Sequence, residues 1–202
     1  MSKYSLMARP VTIQTEQIVE KARLLFLEHG CKLSTNRIAR ALGISEGTIF
    51  KRFGTKEALF AASMGLPSAD FARSWPKRAG EAPLSEALEQ IGQELVAHLR
   101  VALPRIIMLR RASGIDPFSV LAESDEAPPV VLLDGVTEFL RREIELERFS
   151  ADDPRIAARM LVGALANFVF FEALGFEVHG KEETERTIRG MVSLLVTGSR
   201  LS

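Results

Sequence analysis

The sequence predicts an all-α protein with a small basic amino-terminal part and a larger acidic remainder. Apolar residues recur at three- and four-residue steps along the 202 residues, and no alternating strand pattern of any length intervenes. Residues 1–56 hold ten Lys and Arg against four Glu, net +6, whereas residues 57–202 carry net −6. A small positive head is typical of polyanion binding. We therefore expect two domains, at residues 1–56 and 57–202.

Composition excludes several other classes of protein. With 47% apolar residues, 14 Gly and 9 Pro, the chain is neither disordered nor fibrous. No apolar run approaches the roughly 20 residues of a membrane span, and residues 1–10 have no apolar core of a signal peptide. The single cysteine, Cys31, excludes an intramolecular disulfide. We expect a cytoplasmic protein without membrane contact, with Cys31 as a small buried residue or, alternatively, a redox sensor.

Three short helices are predicted in the basic part. The periodic run from Thr12 to His29 predicts an amphipathic helix that ends at Gly30. A second helix follows, capped by Ser34 or Thr35. After a tight turn at Gly43, a third helix covers residues 46–53, and together they form a helix-turn-helix. Four apolar residues hold its two helices together: Ile38, Leu42, Ile44 and Ile49.

The turn contains a G-x-S-x-G match, from Gly43 to Gly47, centred on Ser45. A hydrolase nucleophile needs a strand before this pattern, because a strand-to-helix elbow exposes the serine oxygen. Here a helix precedes it, and no histidine and carboxylate are singled out to complete a triad. We interpret Ser45 as a helix N-cap and assign no catalytic residue, with a serine hydrolase as the disfavoured alternative.

The stretch from Ile13 to Phe60, with LLFLEHG, STNRIARALGIS and EGTIFKRFGTKEALF, closely resembles the DNA-binding domain of the tetracycline-repressor (TetR) family of bacterial transcriptional regulators. The resemblance covers about a quarter of the chain. It implies that the protein binds a double-stranded DNA operator, with Phe50 where the family usually has a tyrosine. The implied DNA-binding residues are Ser34, Thr35, Asn36, Ser45, Glu46, Gly47, Thr48, Phe50, Lys51, Arg52 and Lys56. Among these we expect most from Arg52, on a guanine edge or a phosphate, and from Lys56, on a phosphate at a helix start.

The acidic part is predicted to consist of helices separated at glycines and prolines. Asp153 followed by Pro154 is a good cap and first-turn pair. The expected helices cover residues 84–103, 105–113, 130–149, 154–176 and 182–197.

The run from Arg159 to Phe176 is apolar nearly all round. The TetR resemblance implies that the last two long helices pair with their copies as a four-helix bundle, so we expect a homodimer; the alternative is a central core helix. The expected interface residues are Leu161, Gly163, Leu165, Phe168, Ile188, Val192 and Leu195.

The resemblance also implies a small-molecule effector bound in an apolar cavity of this larger helical domain, which releases a repressor from a palindromic operator. Control by a protein partner is the alternative. The expected pocket residues are Trp75, Met108, Phe118, Phe139, Phe168 and Phe171. No cofactor or metal is expected, because His29, His98 and His179 lack metal-ligand spacing and the sequence has no Gly-rich phosphate loop.

Overall fold

The computed structural model describes residues 13–113 and 127–198, without the side chains of residues 109–113. Within these residues the regular structure is entirely helical, which confirms the all-α prediction. The α-helices are α1 (Thr15–His29), α2 (Thr35–Leu42), α3 (Glu46–Phe53), α4 (Lys56–Ser63), α5 (Leu84–Ser113), α6 (Pro128–Glu145), α7 (Pro154–Ala173) and α8 (Lys181–Gly198), and a 3-10 helix covers Asp70–Arg78.

The chain divides into two compact units. The first, here called the head, contains the described residues up to Gly65 together with the end of α5 from Met108; the second, the body, contains the rest. The head therefore extends beyond the boundary expected at residue 56. The reason is that Leu59 and Phe60 of α4 are buried in the same apolar cluster as α1, so α4 belongs to the head.

The head core forms where the apolar faces of its short helices meet. Phe26 is fully buried and meets the ring of Phe60 edge to face, with 5.0 Å between ring centroids. Ile38 and Ile49, one from each helix of the helix-turn-helix, are fully buried in this cluster. Leu42 and Ile44 pack against it from the turn. The predicted contact between the two helices is confirmed.

The helix ends in the head follow the sequence. Gly43 has φ +67°, a left-handed conformation that favours glycine, and ends α2. The amide N–H of Gly30 donates to the carbonyl of Phe26 at the end of α1. Of the two possible caps of α2, Ser34 serves, since its side chain accepts from the amide of Arg37. Of these contacts, the left-handed turn at Gly43 is the one that leads from α2 into α3.

The body core is formed by the 3-10 helix and α5 to α8. Trp75 is fully buried, and its indole N–H donates to Glu94 of α5 over 2.8 Å. Gly135 lets α6 approach the 3-10 helix closely, because a Cβ there would lie 2.7 Å from the carbonyl oxygen of Ala72. The sequence predicted only a break in the region of Pro76, and the 3-10 helix around this proline was missed.

The expected break at Pro104 is wrong, since α5 continues through it to Ser113. A proline inside a helix costs about 3 kcal/mol. Leu99, Ala102 and Ile106 are buried on either side, so burial of this face offsets that cost. The cap before α7 is confirmed: Asp153 accepts from the amide of Arg155 over 2.7 Å.

Helix α7 departs from the expectation that no segment is apolar enough to cross a membrane. Among the described residues it alone meets that criterion, by length and composition only. In the isolated chain only 28% of its most apolar window is buried. A large apolar face of α7 is therefore open.

Candidate nucleic-acid interface

Helix α3 has one buried and one open face. Ile49 points into the head core, whereas Gly47, Phe50 and Lys51 are exposed. A shallow surface groove is lined by Ser45, Gly47, Thr48, Lys51 and Arg52. The open face thus offers a small residue, hydroxyls, an aromatic ring and an ammonium, which are groups that can meet base edges and phosphates in a major groove.

Ser45 is the N-cap of α3. Its oxygen accepts from the amide of Thr48 over 3.2 Å and lies 2.9 Å from the hydroxyl oxygen of Thr48. Helix α2, not a strand, precedes the turn. The cap interpretation is confirmed, and the strand-to-helix elbow of a serine hydrolase is not formed at this position.

Two of the predicted DNA-binding residues are engaged with each other inside the head. Thr35 is buried, and its hydroxyl donates to the carboxylate of Glu46. This bond joins the first turn of α2 to the first turn of α3. Ser34 and Asn36, which flank Thr35, are exposed. Thr35 and Glu46 thus brace the helix-turn-helix, and Asn36 presents its amide to the outside.

Arg52 joins α3 to the start of α1. Its guanidinium donates to the carbonyl oxygen of Ile13 and, over 3.4 Å, to the hydroxyl of Thr15. We expected this side chain to bind a guanine or a phosphate. In the structure its guanidinium bonds within the head, but Arg52 is exposed like Lys51 and lines the same groove on α3, so its contact with DNA stays a prediction.

Lys56 lies in the first turn of α4. Thr55 caps this helix by accepting from the amide of Ala58 over 3.0 Å. An ammonium beside the remaining N–H groups of a helix start suits a phosphate. Lys51 on α3 and Lys56 on α4 are therefore two cations that come soon after the turn in sequence, and their contact with the DNA backbone stays a prediction.

Most cations of the head are not neutralised. In the described part of the chain Lys21, Lys32, Arg40, Lys51 and Lys56 have no carboxylate at salt-bridge distance, whereas Arg23 pairs with Glu20. Arg37 also has no carboxylate at salt-bridge distance among these residues, and its guanidinium contacts the ring of His29 over 3.1 Å. The positive charge anticipated from the sequence is thus present as a surface field.

The predicted pocket residues lie in different places. Trp75 and Phe139 are fully buried in the body core, and Phe168 stacks on His179 with 4.4 Å between ring centroids. Phe171 is on the exposed face of α7. Met108 packs against the head core, and Phe118 lies outside the described residues. Among the described residues these side chains do not line one shared cavity.

Most of the residues predicted for the dimer interface face the core of their own body, where a partner could not contact them. Five are buried in the core of their own body, and Leu195 packs against that core. Gly163 alone of the seven is exposed. The five buried residues are Leu161, Leu165, Phe168, Ile188 and Val192.

A helix-turn-helix with an open second helix, set among unpaired cations, defines a DNA-binding protein. Residues 18–63 match the family of bacterial regulatory proteins called the tetR family. The chain is 31% identical over 190 residues to the HTH-type transcriptional repressor AcnR of Corynebacterium glutamicum, covering 90% of this chain and 93% of that protein. The protein therefore belongs to the TetR family of bacterial transcriptional regulators.

Solved structures share its fold. A protein from Mesorhizobium loti described as a TetR-family transcriptional regulator superimposes with a TM-score of 0.69, over 91% of this chain and 95% of that one, at 24% identity. The regulator FadR from Bacillus subtilis, in complex with stearoyl-CoA, has a TM-score of 0.62 over 92% and 99% of the two chains, at 19% identity. Likeness at these identities concerns the fold alone.

Proposed function

We propose that the protein is a transcriptional repressor that binds a palindromic DNA operator as a homodimer and is released by a small apolar effector. The observation that carries this proposal is the open face of α3 with Lys51 on it and Lys56 nearby in sequence, both without carboxylate partners among the described residues. The Corynebacterium glutamicum relative is named a transcriptional repressor, which supports repression over activation. Operator binding places the protein in the bacterial cytoplasm.

On the DNA, each residue of the head has a distinct role in this proposal. Gly47 and Thr48 allow the backbone of α3 to approach the bases, and Phe50 packs on a sugar or a thymine methyl group. Lys51 and Lys56 bind phosphates. Arg52 holds α3 against the start of α1 and, exposed in the same groove, also offers its guanidinium to a phosphate or a guanine edge.

The homodimer is supported by the open apolar face of α7. Ile156, Met160 and Leu174 are exposed in the isolated chain, at 59%, 62% and 43%. An apolar face of this size on a soluble protein marks an interaction surface. A two-fold axis also suits the reading of two half-sites by two copies of α3. Sedimentation as a monomer at micromolar concentration would contradict this part of the proposal.

The effector part of the proposal is supported by a solved structure of the same fold. The FadR structure contains stearoyl-CoA, so the shared fold is able to accommodate an apolar ligand. A ligand releases the repressor only if it binds the conformation with low DNA affinity more tightly. A saturating effector must therefore lower operator affinity; a ligand that binds without this change is not the effector.

The test is binding of the purified protein to DNA upstream of its own gene and neighbouring genes. We expect selective binding and a footprint of two half-sites whose centres are about 34–36 Å apart. Lys51→Ala should weaken binding, and Lys181→Ala in the body is the matched control, since Lys181 is 91% exposed. Equal loss in both variants, or no selective binding to any fragment, would contradict the proposal.

A further inference from the structure

Glu46 is the single acidic residue of the helix-turn-helix. From Ser34 to Lys56 the sequence has five Lys and Arg but only this one carboxylate. Among the described residues no Lys or Arg lies at salt-bridge distance from Glu46. The positive end of the helix dipole favours a carboxylate in the first turn of α3, but DNA phosphates repel it. On a surface that meets DNA, Glu46 therefore needs a hydrogen-bond donor from the DNA to offset this repulsion.

Thr35 fixes the orientation of this carboxylate. Thr35 is the first residue of α2 and is buried, and its hydroxyl donates to Oε1 of Glu46, the first residue of α3. The other oxygen, Oε2, has no hydrogen-bond partner among the described residues. Glu46 is half-buried, so the carboxylate has one oxygen held inside the head and one oxygen left to accept a hydrogen bond from outside.

The start of α3 is open to a base edge. Gly47, directly after Glu46, is exposed, and a Cβ built on it would meet only the Oγ of Ser45, at 3.7 Å. No side chain therefore keeps the backbone away from DNA at this point. In a helix-turn-helix the amino-terminal residues of the second helix are the ones that contact base edges in the major groove.

We propose that Glu46 selects a cytosine in each half-site of the operator by accepting a hydrogen bond from the N4 amino group of that base. Thr35 is the positioning residue, because it holds the carboxylate that makes this contact. The inference rests on the operator binding proposed above and specifies one base of the DNA sequence that is bound.

The major-groove edge of cytosine is the one that matches a carboxylate. Carboxylate oxygens only accept hydrogen bonds. Guanine presents the acceptors N7 and O6, and thymine presents the acceptor O4 and a methyl group, so neither base donates to Glu46. Adenine has a donor at N6, but its acceptor N7 lies beside it and repels the carboxylate. Cytosine presents the N4 donor alone, which suits the one free oxygen of Glu46.

The same carboxylate lowers affinity for other sequences. Without an N4 donor opposite, it loses water on binding and gains no hydrogen bond in return. Glu46 should therefore raise the ratio of specific to non-specific binding more than it raises affinity itself. This distinguishes it from Lys51 and Lys56, whose proposed contacts with phosphates are the same on any DNA sequence.

Binding to a set of operator duplexes tests the base preference. Each position of the half-site found by footprinting is changed to each of the other bases, in both half-sites together. We expect one position at which the parent protein prefers cytosine by at least about tenfold. In Glu46→Ala the preference at this position alone should be lost, with binding to the other bases unchanged or tighter. Lys51→Ala is the matched control, since it should weaken binding to every duplex and keep the preference.

Further variants and a modified base identify the atoms. Glu46→Gln should abolish the preference for cytosine, because Thr35 would hold the amide oxygen and leave an NH2 donor where the carboxylate has an acceptor. Thr35→Val removes the hydroxyl and should reduce the preference, whereas Thr35→Ser should retain it. Replacing the cytosine with 2-pyrimidinone, which lacks the N4 amino group, should weaken binding of the parent about tenfold and that of Glu46→Ala by less than about twofold.

Each other outcome overturns the inference. A cytosine preference that persists in Glu46→Ala means that another residue reads the base. Equal weakening of Glu46→Ala on every duplex, or the absence of a cytosine-preferring position, means that the carboxylate only stabilises α3. If Glu46→Ala does not fold, Glu46→Gln decides, because an unchanged preference in that variant contradicts the contact. In all these cases selective operator binding by the parent stands, whereas a parent that binds no fragment selectively removes the proposed function as well.

Discussion

The head and the body differ in whether their cationic side chains are paired with carboxylates. In the described part of the head most cations have no carboxylate partner, whereas many arginines of the body are paired. The pairs in the body are Arg78 with Glu94 at 2.6 Å, Arg100 with Glu172 at 2.7 Å, Arg148 with Glu143 at 3.0 Å and Arg155 with Asp134 at 2.7 Å. Pairing neutralises the field of the body, and its absence leaves the field of the head available for a polyanion.

The largest effect is expected from removing a buried ring, and its consequence should differ between the head core and the body core. Phe26→Ala removes a fully buried ring from the head and should destabilise it by about 3–5 kcal/mol. DNA binding should be lost while the dimer, formed by the body, is retained in sedimentation. Phe139→Ala, the matched change in the body core, should instead weaken the dimer. Loss of dimer in Phe26→Ala would show that the two cores are not independent.

A buried carboxylate tests how much pairing matters in the body. Glu143 is fully buried, accepts from the amide of Gly80 over 2.9 Å and pairs with Arg148. Glu143→Ala leaves that amide unpaired, so we expect about 2 kcal/mol lower stability in denaturant unfolding. Glu185→Ala removes an exposed pair, with Lys181 at 3.9 Å, and should change stability by less than about 0.5 kcal/mol. Equal losses of stability in the two variants would mean that burial does not determine how much each ion pair contributes.

In the head, Ser45→Ala tests the cap. Loss of the bond from the amide of Thr48 should lower stability by about 1 kcal/mol. Operator binding should weaken in proportion, because α3 is less well ordered, and Ser34→Ala at the cap of α2 provides a control of similar size. Loss of an esterase activity in Ser45→Ala with unchanged stability would favour the hydrolase alternative.

The smallest expected effect concerns pH in the body. Hydrogen bonding to Glu177, and next to Glu183, raises the pKa of His179 above its ordinary value. The protonated ring therefore stabilises the body fully below about pH 6.5, and this contribution is lost as the pH rises through the raised pKa. His179→Gln should remove it, so the variant and the parent should differ most in melting temperature below pH 6.5. A difference that grows towards pH 9 would contradict the sign.

His98 acts in the opposite direction and must be compared through its own variant. Burial lowers its pKa, so its neutral form is favoured in the folded body and stability falls as the pH drops through about 6.5. His98→Gln should therefore flatten that fall, whereas His179→Gln should leave its slope below pH 6.5 unchanged, because the His179 contribution is already constant there.

Local features of the head could be predicted from the sequence, and features set by tertiary contacts could not. The caps at Ser34 and Ser45 and the turn at Gly43 depend on a few adjacent residues. The engagement of Arg52 by Ile13 joins residues 39 apart, and no spacing rule indicates it. The bond from Thr35 to Glu46 similarly depends on how α2 and α3 pack.

In the body, the buried and exposed faces of α7 could not be predicted from the sequence. Its residues are apolar nearly all round, so periodicity could not say which face is inward. Leu161 and Leu165 face the core, and Met160 and Gly163, next to them in sequence, face outward. The expected break at Pro104 is wrong for a related reason, since a local rule predicts a break that the packing of α5 overrides.

The most direct test of the central claim is the salt dependence of operator binding for the parent, a Lys51→Ala/Lys56→Ala variant and Lys181→Ala. If the two head lysines each neutralise a phosphate, the slope of log K against log salt concentration should fall by about 1.8 in the double variant. The slope of Lys181→Ala should equal that of the parent. An unchanged slope in the double variant, or an equal fall in Lys181→Ala, would contradict the claim that the unpaired cations of the head bind DNA.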